Sequence, residues 1–163
     1  MPRRNSSNSS SEEEDMRRLA VELRLLEGMA ESLSSRINLL NAALAELNLA
    51  NRTLEGLEKE EPDTPIFVPI GGGSYIKAKL EAKDEVVYGI GAGVAIEKTL
   101  KEAREGISNR IAELNKTKTS YEQQLRQVLQ RIQADRDRLQ ELADRIRRGA
   151  GARDVRKAAR GTE

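Results

Sequence analysis

Two glycine clusters are the first places in this chain where chemistry could sit. Val86-Val87-Tyr88-Gly89-Ile90-Gly91-Ala92-Gly93 runs into a helix-forming stretch, and glycines so placed can let a backbone approach a pyrophosphate. The spacing fails: the third glycine of G-x-G-x-x-G falls at Val94, and strands this close in sequence leave no room for a βαβ unit. Gly71-Gly72-Gly73-Ser74 lacks the Gly-Lys-Ser/Thr ending of a phosphate loop. Both clusters read instead as hairpin turns, because consecutive glycines supply the positive φ values that tight turns need. Cys and His are absent, which removes disulfides, thiol nucleophiles, Cys/His zinc sites and imidazole acid–base chemistry. The carboxylates fall on helical surfaces with no pocket implied. No catalytic residue, metal ligand or cofactor is expected, and the chain does not read as an enzyme.

The elements around the glycines are more telling. Charged residues make up 34% of the 163 and aromatics 2%, with one Phe and no Trp. That composition suits long helices or coiled coil better than a large compact core. Lys plus Arg (28) and Asp plus Glu (27) nearly cancel, so no global field points to nucleic acid or anionic membrane. No stretch approaches the length of apolar sequence needed to span a membrane, and MPRRNSSNSSSEEED has no apolar signal region. A soluble, cytoplasmic protein is expected.

Taken in order, residues 1–11 are polar and serine-rich and read as a disordered segment. Ser11 with Glu12, Glu13 and Glu14 makes a helix start of the capping-box kind. From there a heptad holds Met16, Leu23, Ala30, Ile37, Leu44 and Asn51 at a, and Leu19, Leu26, Leu33, Leu40, Leu47 and Leu54 at d. This arm, 12–61, ends where Pro62 and Pro65 bracket Asp63 and Thr64. A second arm, 99–148, opens on the T-x-x-E box Thr99–Glu102. Its seam carries Arg104, Ile111, Lys118, Leu125, Ile132, Leu139 and Ile146 at a, and Leu100, Ile107, Leu114, Tyr121, Val128, Asp135 and Leu142 at d. Gly149 and Gly151 are expected to stop the helix, leaving 149–163 as a basic flexible tail. Each arm would span about 75 Å, and matched arms predict an antiparallel coiled-coil hairpin whose outer tip gathers both chain ends.

Between the arms, residues 62–98 predict strands Ile66–Ile70, Ser74–Leu80, Glu85–Ile90 and Val94–Glu97, paired as two hairpins and linked by Ala82-Lys83-Asp84. The fold class is therefore mainly α with a small β insert. Four short strands are marginal alone, so the insert is expected to oligomerise through Ile66, Phe67, Val68, Ile70, Tyr75, Ile76, Val86, Val87, Tyr88, Ile90, Val94 and Ile96.

Two coiled-coil arms around Pro65-Ile66-Phe67-Val68-Pro69-Ile70-Gly71, Ser74-Tyr75-Ile76-Lys77-Ala78-Lys79 and Val87-Tyr88-Gly89-Ile90-Gly91-Ala92-Gly93-Val94-Ala95-Ile96-Glu97-Lys98 resemble the α subunit of archaeal prefoldin. The likeness covers about residues 15–148. It is generic in the arms and specific in the insert, where two hairpins rather than one mark the α type. The resemblance implies a hexamer of two α and four β subunits joined through a β-barrel platform. It also implies an ATP-independent holdase that captures unfolded clients between arm tips and passes them to a group II chaperonin.

A holdase must offer apolar surface to chains that expose theirs. Val21 and Leu25 fall outside the seam, beside Leu19, Leu23 and Leu26, and Leu139, Leu142 and Ile146 could join them if the last turns splay. These eight are the expected client-binding residues. A tethering coiled coil that oligomerises through the insert and binds a folded partner is the alternative. A nucleic-acid binder using Arg147, Arg148, Arg153, Arg156, Lys157 and Arg160 fits poorly with the balanced charge and the lack of interleaved aromatics.

Overall fold

In a computed structural model of the chain, every a and d residue assigned in the two arms is at least half-buried. Leu23, Leu33 and Leu44 of the first helix are buried, as are Leu100, Ala103, Ile107 and Ile132 of the second. The structure describes the backbone of residues 4–81 and 85–160, and the side chains of 11–81 and 85–148. The order is α1 (Arg4–Leu57), β1 (Pro65–Gly71), β2 (Ser74–Lys79), β3 (Glu85–Gly91), β4 (Val94–Thr99) and α2 (Leu100–Arg160). It forms two units. The first joins the residues up to Ile37 to those from Ser120 onward; the second is Asn38–Thr119.

In the first unit α1 and α2 run antiparallel. Arg36 lies over the Tyr121 ring at 5.8 Å, and Arg136 reaches Glu27 at 2.6 Å, so rising numbers on one helix meet falling numbers on the other. Arg131 also donates to Glu22 at 2.6 Å. These pairs are exposed, and such pairs contribute about 0–1 kcal/mol each; the buried leucine seam supplies most of the cohesion. One seam residue departs from the pattern. Asp135 is 1% exposed, Arg131 Nε stands 3.7 Å from its Oδ2, and that oxygen has no hydrogen-bond partner.

The helix limits differ from expectation at three ends. The α1 backbone is helical from Arg4, through the serine-rich segment read as disordered over 1–11, so Ser11 is an interior residue and not a cap. Serine costs an existing helix only a few tenths of a kcal/mol, and no proline interrupts Arg4–Leu57. The same helix stops at Leu57 rather than 61, giving way to turns closed by Glu58 N–H to Leu54 and Lys59 N–H to Gly56. At the other end α2 continues past Gly149 and Gly151 to Arg160, over most of the tail expected to be flexible. Each glycine costs about 1 kcal/mol in a helix, and the alanines and arginines around them are good helix formers.

In the second unit the four expected strands form two separate antiparallel hairpins, β1–β2 and β3–β4. The link expected at Ala82–Asp84 lies outside the described residues. Both turns have the same form. Gly71 pairs with Ser74 across Gly72-Gly73, and Gly91 pairs with Val94 across Ala92-Gly93, each with a one-residue shift behind the turn. All four turn residues have positive φ, 57° and 75° in one and 51° and 77° in the other, as a type I′ turn requires. The expected Thr99–Glu102 capping box is present. The Thr99 N–H donates to Glu102 Oε2 at 3.1 Å, and the Glu102 N–H donates to Thr99 Oγ1 at 3.2 Å.

Candidate functional site

Among the described residues, apart from the exposed Leu39, Leu49 and Leu129, two groups of apolar side chains lie outside the seam, one on each unit. On the first unit Val21 is 59% exposed, Leu25 66% and Met29 53%. Residues four apart on a helix are surface neighbours, so the three make a continuous stripe along α1. The eight residues expected to bind clients therefore divide. Val21 and Leu25 are free on the surface; Leu23 is buried, and Leu19, Leu26, Leu139, Leu142 and Ile146 are half-buried in the seam. Met29 was missed. Its signal was its place one helical turn beyond Leu25, off the a and d positions.

On the second unit the hairpins turn most of their aliphatic residues outward. Phe67 (65% exposed), Ile70, Tyr75, Ile76, Val87 (75%), Ile90 and Val94 are exposed, and Val68 and Ile96 less so. Ile66, Val86 and Tyr88 are half-buried. Tyr88 is what seats the second hairpin on α2. A Cβ placed on Gly106 would come within 2.9 Å of the Tyr88 hydroxyl, so glycine leaves the space into which the ring packs. Lys98 covers that ring at 5.0 Å. An open, mainly apolar groove of about 540 Å³ runs between Leu47, Ala50 and Leu54 of α1, Val86–Gly89 of β3 and Ile107 of α2, with Glu46 and Arg110 as its charged members.

Glu102 is held below the ordinary glutamate range, first by the Thr99 hydroxyl and then by the Thr99 N–H, both of which donate to its carboxylate. Among the described residues there is no group of three or more His, Cys, Asp or Glu side chains that could hold a metal ion. No described helix is long and apolar enough to cross a membrane.

Comparison with known proteins places this arrangement. The family model described as prefoldin subunit matches residues 26–145. Prefoldin subunit alpha of Methanopyrus kandleri is 32% identical over 118 residues, 72% of this chain and 75% of that one. The Pyrococcus horikoshii protein of the same name is 33% identical over 119 residues, 72% and 80% of the two chains. That of Methanococcoides burtonii is 32% identical over 124 residues, 76% and 90%. Among solved structures, filamentous prefoldin from Methanocaldococcus jannaschii superposes with a TM-score of 0.61 at 26% identity, covering 69% of this chain and 93% of that one. Two long helices joined by a pair of β-hairpins, with sequence relatives of this kind over most of their length, leave one assignment: the chain belongs to the prefoldin family of chaperone subunits and is of the archaeal α type.

Proposed function

We propose that this chain is the α subunit of a cytoplasmic, ATP-independent holdase, assembled with β-type subunits as two α and four β. It captures unfolded proteins on the unit that carries both chain ends and passes them to a group II chaperonin. The observation that carries the reading is the stripe of Val21, Leu25 and Met29, exposed while the seam beside it is closed. An unfolded chain recognises apolar area without requiring a fixed shape. Three side chains offer only a weak site, and several arms acting on one client raise the effective concentration enough to hold it. The exposed hairpin residues serve assembly and not capture. The relatives are prefoldin subunits, which favours this reading over a tether for a folded partner.

The test leaves the seam intact. A Val21→Ser, Leu25→Ser, Met29→Ser variant should assemble with β-type subunits as the parent does, yet lose most of its suppression of aggregation of a chemically unfolded client. Full suppression by the variant would place client binding elsewhere. Substituting Leu23 instead would confound the result, because its side chain is 8% exposed and supports the helix pair.

A further inference from the structure

The two hairpins share one register but join the helices differently. Val68↔Ile76 in the first corresponds to Tyr88↔Ile96 in the second. Val68 is 39% exposed, whereas Tyr88 is half-buried, with Lys98 over its ring at 5.0 Å. Residues 58–64 separate α1 from β1, and the base of the first hairpin closes on itself through Asp63 N–H to Leu80 and Leu80 N–H to Thr64. No residue separates β4, which ends at Thr99, from α2, which starts at Leu100. Leu100, Ala103 and Ile107 are buried just beyond that junction. Gly106 lies where this joint is tightest. A Cβ there would stand 2.9 Å from the Tyr88 hydroxyl oxygen and 3.2 Å from its Cζ, while Gly28 and Gly56 of α1 have open space at the same point. Glycine weakens a helix interior relative to alanine. At Gly106 that weakening is offset by the approach of the ring to the helix backbone.

We infer that Tyr88 and Gly106 are positioning residues: together they fix the angle between the second hairpin and α2, and client capture depends on that angle. The inference rests on the reading that the hairpins assemble the particle and the Val21–Leu25–Met29 stripe binds clients. It adds the joint through which assembly sets the direction of a helix. The hairpin meets α2 at two points. One is the junction of Thr99 and Leu100, held by the Thr99–Glu102 box. The other is the seat of Tyr88 at Gly106, about 9 Å further along the helix and reached from the other strand of the hairpin. Two attachments define an angle where one would leave a swivel. The first hairpin, with Val68 exposed where Tyr88 is seated, shows what one attachment looks like. A tyrosine ring has only two side-chain torsions, and the Lys98 ammonium over its face holds it further. Each stripe alone is a weak site, so capture needs several arms on one client at once, and that gain vanishes when geometry forbids simultaneous engagement. A loose joint would have to be ordered each time an arm engages, which weakens binding. The seated ring orders it beforehand.

The cysteine-free chain allows spin labels at chosen points. Labels at Ala95→Cys on the second hairpin and Asn115→Cys on α2, both exposed positions, read the joint by pulsed electron resonance. The full chain is used, assembled with β-type subunits and diluted with unlabelled chain. The parent should give one narrow distance distribution. Gly106→Ala should broaden it, keep the assembled mass and the helical content, and lose most of the suppression of aggregation of a chemically unfolded client. Adding Tyr88→Phe removes the hydroxyl that the new Cβ meets, and should restore both the narrow distribution and the suppression. An unchanged distribution in Gly106→Ala, or no recovery in the double variant, would refute the seat. A broadened distribution with full suppression would refute the dependence of capture on the joint and leave the reading of the stripe standing. Loss of assembly in Gly106→Ala would make the pair part of the assembly contacts and overturn its positioning role. A parent chain that neither assembles nor suppresses aggregation would overturn the underlying reading and this inference with it.

Discussion

Ala92 holds a φ of 51° in the turn between β3 and β4, where its counterpart in the other hairpin is Gly72. A left-handed conformation costs an L-residue about 1–2 kcal/mol. Ala92→Gly should therefore stabilise the second hairpin by about 1 kcal/mol, read as a higher midpoint in thermal denaturation; a lower midpoint would show the methyl group to be in use. Glu102 is a second residue with a distinct expectation. Its carboxyl is held low by Thr99 in the folded state, so its contribution to stability is complete above the ordinary glutamate value and is lost as pH falls through the lowered one. Acid titration followed by circular dichroism should show less loss of stability in Glu102→Gln than in the parent. Equal losses would mean that the capping carboxylate does not govern that end of α2.

At the scale of the element, the helix pair of the first unit combines a leucine seam with one buried acid. Asp135 makes no hydrogen bond through Oδ2 and has Arg131 at ion-pair distance. Replacing a buried ion by an apolar residue of similar size is often neutral or stabilising by about 1–4 kcal/mol, whereas removing only the counter-charge is costly. Asp135→Leu should raise the melting midpoint and Arg131→Ala should lower it. The two would move together if the acid only filled space. A polar residue in such a seam can also fix helix alignment, so the stabilised Asp135→Leu protein should show less suppression of client aggregation if capture needs the last turns of the helices to part.

At the scale of the whole molecule, the proposed division of capture and assembly between the two units predicts that they separate genetically. Ile66→Lys with Val68→Lys places charge on the exposed first hairpin and leaves the helix seam untouched. The expected product keeps its helical content and loses the oligomer on sizing; an intact hexamer would refute the assignment of the hairpins. Multivalent holding then predicts that the dissociated chain suppresses aggregation far less per subunit than the assembly, although its Val21–Leu25–Met29 stripe is unchanged.

Much of this protein was legible in its residues. Leucine at every d position of the first arm reports coiled-coil packing because a 3.5-residue repeat lays one apolar seam along a helix, and the paired glycine turns report hairpins because few other residues tolerate that backbone. Thr99 and Glu102 form their box for local reasons, within one turn. Helix limits were not legible, since extension through serines or past two glycines depends on small costs set against an already formed helix. The heptad already set Val21 and Leu25 off the seam and Leu23 in it; what it left open is how far the outer seam residues are covered, and Leu19, Leu26, Leu139, Leu142 and Ile146 are half-buried. Local patterns determine the elements because they act within a few residues. Exposure is decided by partners far along the chain, and so by the tertiary structure.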